Sequence, residues 1–282
     1  MPIVDGPDVS LSYRVWGEGE PVTLLHGFTL NGRSWREVIA RMPKRWTWIA
    51  PDLRGHGETR TAPGAPCTME SCTTDLQMLW DSLGITSSHV VGYSMGGRLG
   101  LHVATRLPER VRSLLTLGAH AGLDPNARIA RRQGDEALAS KLEADGIEPF
   151  VNYWSAQPMF AGIERRGSTF TARLRAERLA NRPEGLAASL RGMGAGAMTP
   201  VWEDLPRVTC RCTFVAGEDD APYVAAARRL AAAVPDGRVV LIPGAGHAAH
   251  MERPAAFARV LADHLERGAV DAGSSTSSLT SA

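Results

Sequence analysis

The chain has 282 residues, 44% of them hydrophobic and 22% charged, enough apolar material for one large α/β domain or a core with an inserted subdomain. Its 31 Lys+Arg and 30 Asp+Glu leave a formal net charge of +1, which excludes a broadly basic nucleic-acid binder and an acidic disordered chain. No apolar run approaches the ~18 residues of a membrane span.

Met1-Pro2-Ile3-Val4-Asp5 lacks the basic and apolar regions of a secretory signal. The four cysteines (Cys67, Cys72, Cys210 and Cys212) form neither a CxxC pair nor a zinc spacing. They read as free thiols of a cytoplasmic protein that needs no metal or cofactor.

In chain order, Pro21 to Leu25 reads as a buried strand followed by a Gly-rich polar loop, and Trp46 to Ala50 as a second strand. Met69 to Leu83 carries a helical stripe at Leu76, Leu79 and Leu83, with Thr68 as N-cap and Gly84 as stop. His89 to Tyr93 is a strand, Met95 to Leu107 a helix and Val111 to Leu117 a strand. This alternation predicts a mostly parallel sheet with helices on both faces. The pattern breaks from residue 123 to residue 207, where helical signals (Ala127 to Asp145, Ile147 to Trp154, Thr169 to Ala180, Pro183 to Leu190) displace strands. Arginines and acids are equal in number there, so the segment reads as a helical lid with solvated faces. Alternation resumes with Thr213 to Ala216, Pro222 to Val234, Arg238 to Ile242 and Pro254 to Arg267. The expected organisation is a core of residues 1–122 and 208–267, a lid of 123–207, and a Ser/Thr-rich disordered tail of 268–282.

Gly92-Tyr93-Ser94-Met95-Gly96 is a G-x-S-x-G between a predicted strand and a predicted helix, the context of a nucleophile elbow. A serine hydroxyl needs a histidine to take its proton and a carboxylate to orient that histidine. Gly217-Glu218-Asp219-Asp220 and Gly244-Ala245-Gly246-His247 each follow a predicted strand, in the order serine, acid, histidine. Asp219 and Asp220 compete for the acid role. The usual spacing of three after the glycine favours Asp220 and leaves Asp219 to cap the turn. Charge on a substrate oxygen would meet the N–H groups of Met95 and of Phe28, in His26-Gly27-Phe28. His26 itself reads as a loop-holding residue, and Asp52-Leu53-Arg54-Gly55-His56-Gly57 as a fold marker.

Together these elements resemble the α/β-hydrolase superfamily up to about Arg267. Val91 to Arg98, with arginine at position 98, resembles the elbow of the 2-succinyl-6-hydroxy-2,4-cyclohexadiene-1-carboxylate synthase family. So do Gly122-Leu123 with Ala127 to Arg131 and Asp135, Tyr153 to Pro158, and Arg178 to Asn181 with Gly185 to Leu190. Ala121 and Arg54 depart from that pattern, which often has proline at both positions.

The resemblance implies an α/β-hydrolase fold with an inserted helical lid, and a lyase that eliminates pyruvate in menaquinone biosynthesis. The triad would be Ser94, Asp220 and His247. Arg98, Arg131 and Arg178 would hold substrate carboxylates, with Tyr93 and Trp154 lining the pocket. On spacing alone, Arg131 and Arg178 are ordinary surface arginines of helices. Arginine suits the role because it stays charged and binds carboxylates bidentately. The expected partner is a small anionic polycarboxylate substrate, with no nucleic acid or membrane span, for a monomer or small homo-oligomer. The other functional classes are a serine hydrolase of esters or carbon–carbon bonds, and a non-catalytic binding protein of the same fold.

Overall fold

The structure is a computed structural model that describes residues 1–273, with side chains described through residue 267. Its centre is a sheet of nine strands. These are β1 (Ile3–Asp5), β2 (Val9–Trp16), β3 (Glu20–Leu25), β4 (Trp46–Pro51), β5 (Arg60–Thr61), β6 (Ser88–Tyr93), β7 (Val111–Leu117), β8 (Arg211–Gly217) and β9 (Gly237–Ile242). They order as β1-β2-β4-β3-β6-β7-β8-β9, with β5 beside β2. From β4 to β9 all neighbours are parallel, whereas β1, β4 and β5 pair with β2 antiparallel.

The central strands are buried on both faces, as parallel sheets require. Leu114 and Phe214 pack into one core beneath α2 (Met69–Ser82), α3 (Met95–Arg106) and α8 (Ala221–Ala233). Their successors Leu115 and Val215 pack into the other, with α10 (Pro254–Gly273) and Val38 of α1 (Arg36–Ile39). The period-2 alternation of side chains thus feeds two cores. Phe257, Leu261 and Leu265 lie four apart on α10 and supply its buried stripe.

Helix α2 begins as the sequence predicts. Ser71 N–H donates to Thr68 Oγ1 at 3.2 Å, Thr68 N–H donates to Ser71 Oγ at 2.9 Å, and Gly84 stands just past the end at φ +66°. The antiparallel edge is a finding beyond the sequence reading, which starts the alternation at Pro21. The signal is present in Val9-Ser10-Leu11-Ser12, an alternating stretch of β2.

Between β7 and β8 lie α4 (Pro125–Asp145), α5 (Ile147–Ser155), a 3₁₀ stretch (Pro158–Arg166), α6 (Ser168–Leu179) and α7 (Pro183–Met193). These helices have a small core of their own around Leu142, Phe150, Val151 and Leu186, against which Phe28 packs. After β9, α9 (Ala249–Glu252) precedes α10. The expected tail of 268–282 differs at its start, because α10 continues to Gly273. Residues 274–282 lie outside the described residues. Among the described residues, no helix is long and apolar enough to cross a membrane. All four cysteines are free.

Arg54, the departure in the Asp52–Gly57 loop, is a structural anchor. It donates to Asp75 through Nε (2.6 Å) and Nη2 (2.7 Å), and to Asp8 through Nη1 (3.0 Å) and Nη2 (2.7 Å). Burial pushes the Asp75 carboxyl up, and the Arg54 hydrogen bonds offset part of that rise. Arg54→Ala would leave Asp75, 5% exposed, without its cation. The expected loss is about 3–5 kcal/mol of unfolding free energy. Urea titration should show it as a lower midpoint at unchanged slope.

Candidate active site

The C-terminal ends of β3, β6, β7 and β8 and the loop after β9 converge on one cavity of about 950 Å³, roofed by α4, α5 and α7. Ser94 sits at φ +51° in the turn from β6 to α3, one of two non-glycine residues with positive φ among the described residues. The elbow can be this tight because its flanking positions lack side chains. A Cβ on Gly92 would strike the backbone of Gly96, and one on Gly96 would strike the backbone of Leu25. The strained serine is held by neighbours rather than by its own preference. Its N–H donates to Leu117 O at 2.8 Å, and its C=O accepts from Arg98 N–H at 3.0 Å.

Ser94, His247 and Asp220 come together from three loops far apart in the chain. His247 Nε2 lies 3.0 Å from Ser94 Oγ, and Nδ1 lies 2.8 Å from Asp220 Oδ2. A carboxylate accepts the Nδ1 proton, leaving Nε2 as acceptor for the serine hydroxyl. Gly118 makes room for the ring, since a Cβ there would stand 2.8 Å from His247 Cε1. Of the two competing acids, Asp220 faces the ring. Asp219 is exposed, and its N–H donates to Ala245 O at 3.0 Å. Asp220→Asn is therefore expected to lower kcat by about 10²–10⁴-fold, because an amide can force the wrong tautomer. Asp219→Asn should stay within about twofold. Steady-state rates of the two variants side by side check the ranking.

Met95 opens α3, so its N–H is one of the free donors of a helix N-terminus. Phe28 follows β3, and both residues line the cavity with Ser94. The loop carrying Phe28 is tied down from several directions. His26 Nδ1 donates to Gly27 O at 2.8 Å, and His26 Nε2 accepts from Leu53 N–H at 2.9 Å. Burial holds this imidazole neutral by lowering its pKa to about 4. Asp52 Oδ1 accepts from Gly32 N–H at 2.9 Å and Arg14 Nη1 at 2.6 Å, while Oδ2 accepts from Glu58 N–H at 3.0 Å. Asn181, at the end of α6, donates to Thr29 O and accepts from Gly57 N–H, each at 2.9 Å. Thr29 is the other non-glycine residue with positive φ among the described residues, so Asn181 braces the strained step next to Phe28.

Arg98, Arg131 and Arg178 all line the same cavity, in unequal states. Arg98 donates to Met198 Sδ at 3.4 Å, and burial lowers its pKa to about 10. Arg178 is 4% exposed, donates to Ser155 Oγ at 2.7 Å, and lies 4.9 Å over the Phe160 ring. Its Nε has no partner, and burial brings its pKa to about 10. Both remain cations at neutral pH, and neither pairs with a carboxylate among the described residues. Arg131 differs. Its Nε donates to Asp135 Oδ1 at 2.7 Å, and its side chain is 47% exposed. The surface reading fits Arg131 in part and fails for Arg178.

Tyr93, 3% exposed, stands with its ring 5.4 Å from that of His247. Burial pushes its hydroxyl well above the usual phenol range. Trp154 lies parallel to Phe150 at 6.0 Å and edge-on to Phe28 at 5.3 Å. Tyr223, His120 and Trp202 are among the cavity residues that escaped the sequence reading. The Tyr223 ring lies 4.4 Å from that of His247, tilted by 47°, and its one available signal is a position three after Asp220 on α8. His120 Nδ1 accepts from Gly122 N–H at 3.0 Å, and Trp202 Nε1 donates to Gly122 O at 2.9 Å. Neither carries a motif. Among the described residues, no group of three or more His, Cys, Asp or Glu is placed to hold a metal ion.

A strained serine above a parallel sheet, with acid and histidine on later strand ends, is the arrangement of one large fold family. The sequence pattern of the alpha/beta hydrolase family matches residues 24–260. The chain belongs to the alpha/beta hydrolase family. Within it, the chain is 33% identical over 245 residues to 2-succinyl-6-hydroxy-2,4-cyclohexadiene-1-carboxylate synthase of Klebsiella pneumoniae subsp. pneumoniae, covering 86% of this chain and 93% of that one. A Bacillus subtilis protein provisionally given the same name is 34% identical over 260 residues, covering 90% of this chain and 94% of its own length. Among solved alpha/beta hydrolase structures, MenH from S. aureus superposes with a TM-score of 0.86 at 28% identity, over 90% of this chain and 98% of that one.

Proposed function

We propose that this alpha/beta hydrolase is a carbon–oxygen lyase of menaquinone biosynthesis. It converts 2-succinyl-5-enolpyruvyl-6-hydroxy-3-cyclohexene-1-carboxylate into pyruvate and 2-succinyl-6-hydroxy-2,4-cyclohexadiene-1-carboxylate, in the cytoplasm. The observation that carries the reading is the pair of cations, half-buried Arg98 and buried Arg178, which face the same cavity as Ser94 with no carboxylate paired to either among the described residues. A buried charge with no counter-ion destabilises a fold. Retaining buried Arg178 and half-buried Arg98 beside a serine–histidine pair fits a substrate that brings its own carboxylates. A substrate with three carboxylates suits a cavity lined by Arg98, Arg131, Arg178 and Arg229. The names of the relatives support the same reaction.

Ser94, made basic by His247, removes the ring proton next to the succinyl carbonyl, and His247 takes that proton from the serine. The 3.0 Å and 2.8 Å contacts along Ser94, His247 and Asp220 support this relay. The N–H groups of Phe28 and Met95 stabilise the enolate oxygen. The electron pair moves through the ring double bond and breaks the bond from carbon to the enolpyruvyl oxygen. The leaving enolpyruvate takes up a proton and becomes pyruvate. The helical segment of residues 123–207 acts as the lid that excludes water, and Tyr93, Trp154 and Arg131 shape the pocket.

The purified protein is to be offered this substrate and a neutral aryl ester side by side. Pyruvate release far above ester cleavage, with no adduct on Ser94 by intact mass during turnover, is the expected result. Efficient ester cleavage with little pyruvate would instead select a serine hydrolase of the same fold.

A further inference from the structure

We infer that Glu252 is a positioning residue for His247, and that the lid acts on the catalytic histidine through it. This inference rests on His247 being the proton acceptor of the proposed reaction. Glu252 lies on α9, five residues after the histidine, and its side chain is 1% exposed. Its two oxygens take the amides on either side of the histidine. Gly246 N–H donates to Oε2 at 2.9 Å, and Ala248 N–H donates to Oε1 at 3.2 Å. One carboxylate thus holds the Ala245–Gly246 peptide just before His247 and the His247–Ala248 peptide just after it. Two fixed points on either side of a Cα leave the residue little freedom to swing.

The same carboxylate meets the lid. Arg165, at the end of the 3₁₀ stretch, reaches Glu252 Oε2 at 3.3 Å and donates to Gly244 O at 3.1 Å. The lid backbone at Gly162 packs so closely that a Cβ there would collide with the Glu252 carboxylate. Met159 and Phe160 of that stretch line the cavity wall. A movement of the wall is therefore felt at Glu252, and through it at the histidine loop. The clamp needs a carboxylate, since only an acceptor on both oxygens serves two amides. In Glu252→Gln one oxygen becomes an NH₂ that faces an N–H.

The test compares Glu252→Gln, Arg165→Ala, the double variant and His247→Ala in the full-length protein. Glu252→Gln is expected to lower kcat about tenfold, with KM within about twofold, because the clamp orients the base and touches no substrate. Arg165→Ala should lower kcat about two- to threefold, also at unchanged KM, and its exposed side chain makes misfolding no obstacle. The double variant should be no slower than Glu252→Gln, since the arginine acts through the carboxylate. An unchanged kcat in Glu252→Gln with only a lower melting temperature would overturn the clamp. If that variant does not fold, an unchanged kcat in Arg165→Ala overturns it instead. Independent, multiplying effects would overturn the lid coupling. Near-native turnover in His247→Ala would sink the proposed reaction itself, whereas a silent Glu252→Gln beside a dead His247→Ala sinks only the clamp.

Discussion

Ser94→Ala is expected to lower kcat for pyruvate release by about 10³-fold or more, with the fold unchanged. The hydroxyl has one side-chain hydrogen-bond partner, His247 Nε2 at 3.0 Å, so its loss leaves no buried group stranded elsewhere. Alanine meets the same backbone demand as serine at φ +51°, where the surrounding glycines rather than the side chain set the turn. A melting temperature near that of the parent is therefore part of the prediction. His247→Ala should cost a similar factor, and the double variant hardly more than either alone, because the two groups move one proton between them. Losses that multiply would mean that serine and histidine act in separate steps. Near-native turnover in either single variant would remove Ser94 as the base.

The second large effect concerns Arg178, where activity and stability are expected to move in opposite directions. Arg178→Met should lower kcat/KM for the anionic substrate about ten- to hundredfold, the worth of a charge-assisted pair of roughly 1.5–3 kcal/mol. Cleavage of a neutral aryl ester should scarcely change, as it has no carboxylate to lose. The melting temperature should hold or rise. Arg178 is 4% exposed, with an unpartnered Nε and no acid among the described residues, so the fold carries the cost of burying it. Methionine keeps much of the apolar volume against Phe160 without that charge. Arg178→Lys should recover part of the rate, since it restores charge without the planar fork. A drop in stability with equal losses on both substrates would make Arg178 a strut of the lid.

Much of the core was legible because period, caps and strand–helix alternation are local properties of the chain. Thr68 with Ser71, and Gly84 after them, mark the ends of α2 within a few residues of sequence. The elbow was legible for a related reason. Gly92, Ser94 and Gly96 lie within five positions, and the crowding that demands glycine arises inside that turn and against the adjacent strand end. The first two strands were harder to see, because β1 is a three-residue edge strand and β2 departs from strict alternation along its length.

The sequence by itself determined the elbow, the order of serine, acid and histidine, and the strand ends that carry them, since each rests on neighbours along the chain. It left Asp219 and Asp220 in competition, because adjacent acids differ only in which way the loop turns. Tertiary structure decided that Asp220 faces His247 and Asp219 faces solvent. It also decided the fate of the three arginines, which look alike along a helix. Arg131 finds Asp135 one turn away, whereas Arg178 is turned inward over Phe160 with no acid in reach. Glu252 and Asn181 belong to the same class. Their partners are backbone amides and carbonyls of the catalytic loops, and a bond to a main-chain group leaves no mark on the sequence of the residue that carries it.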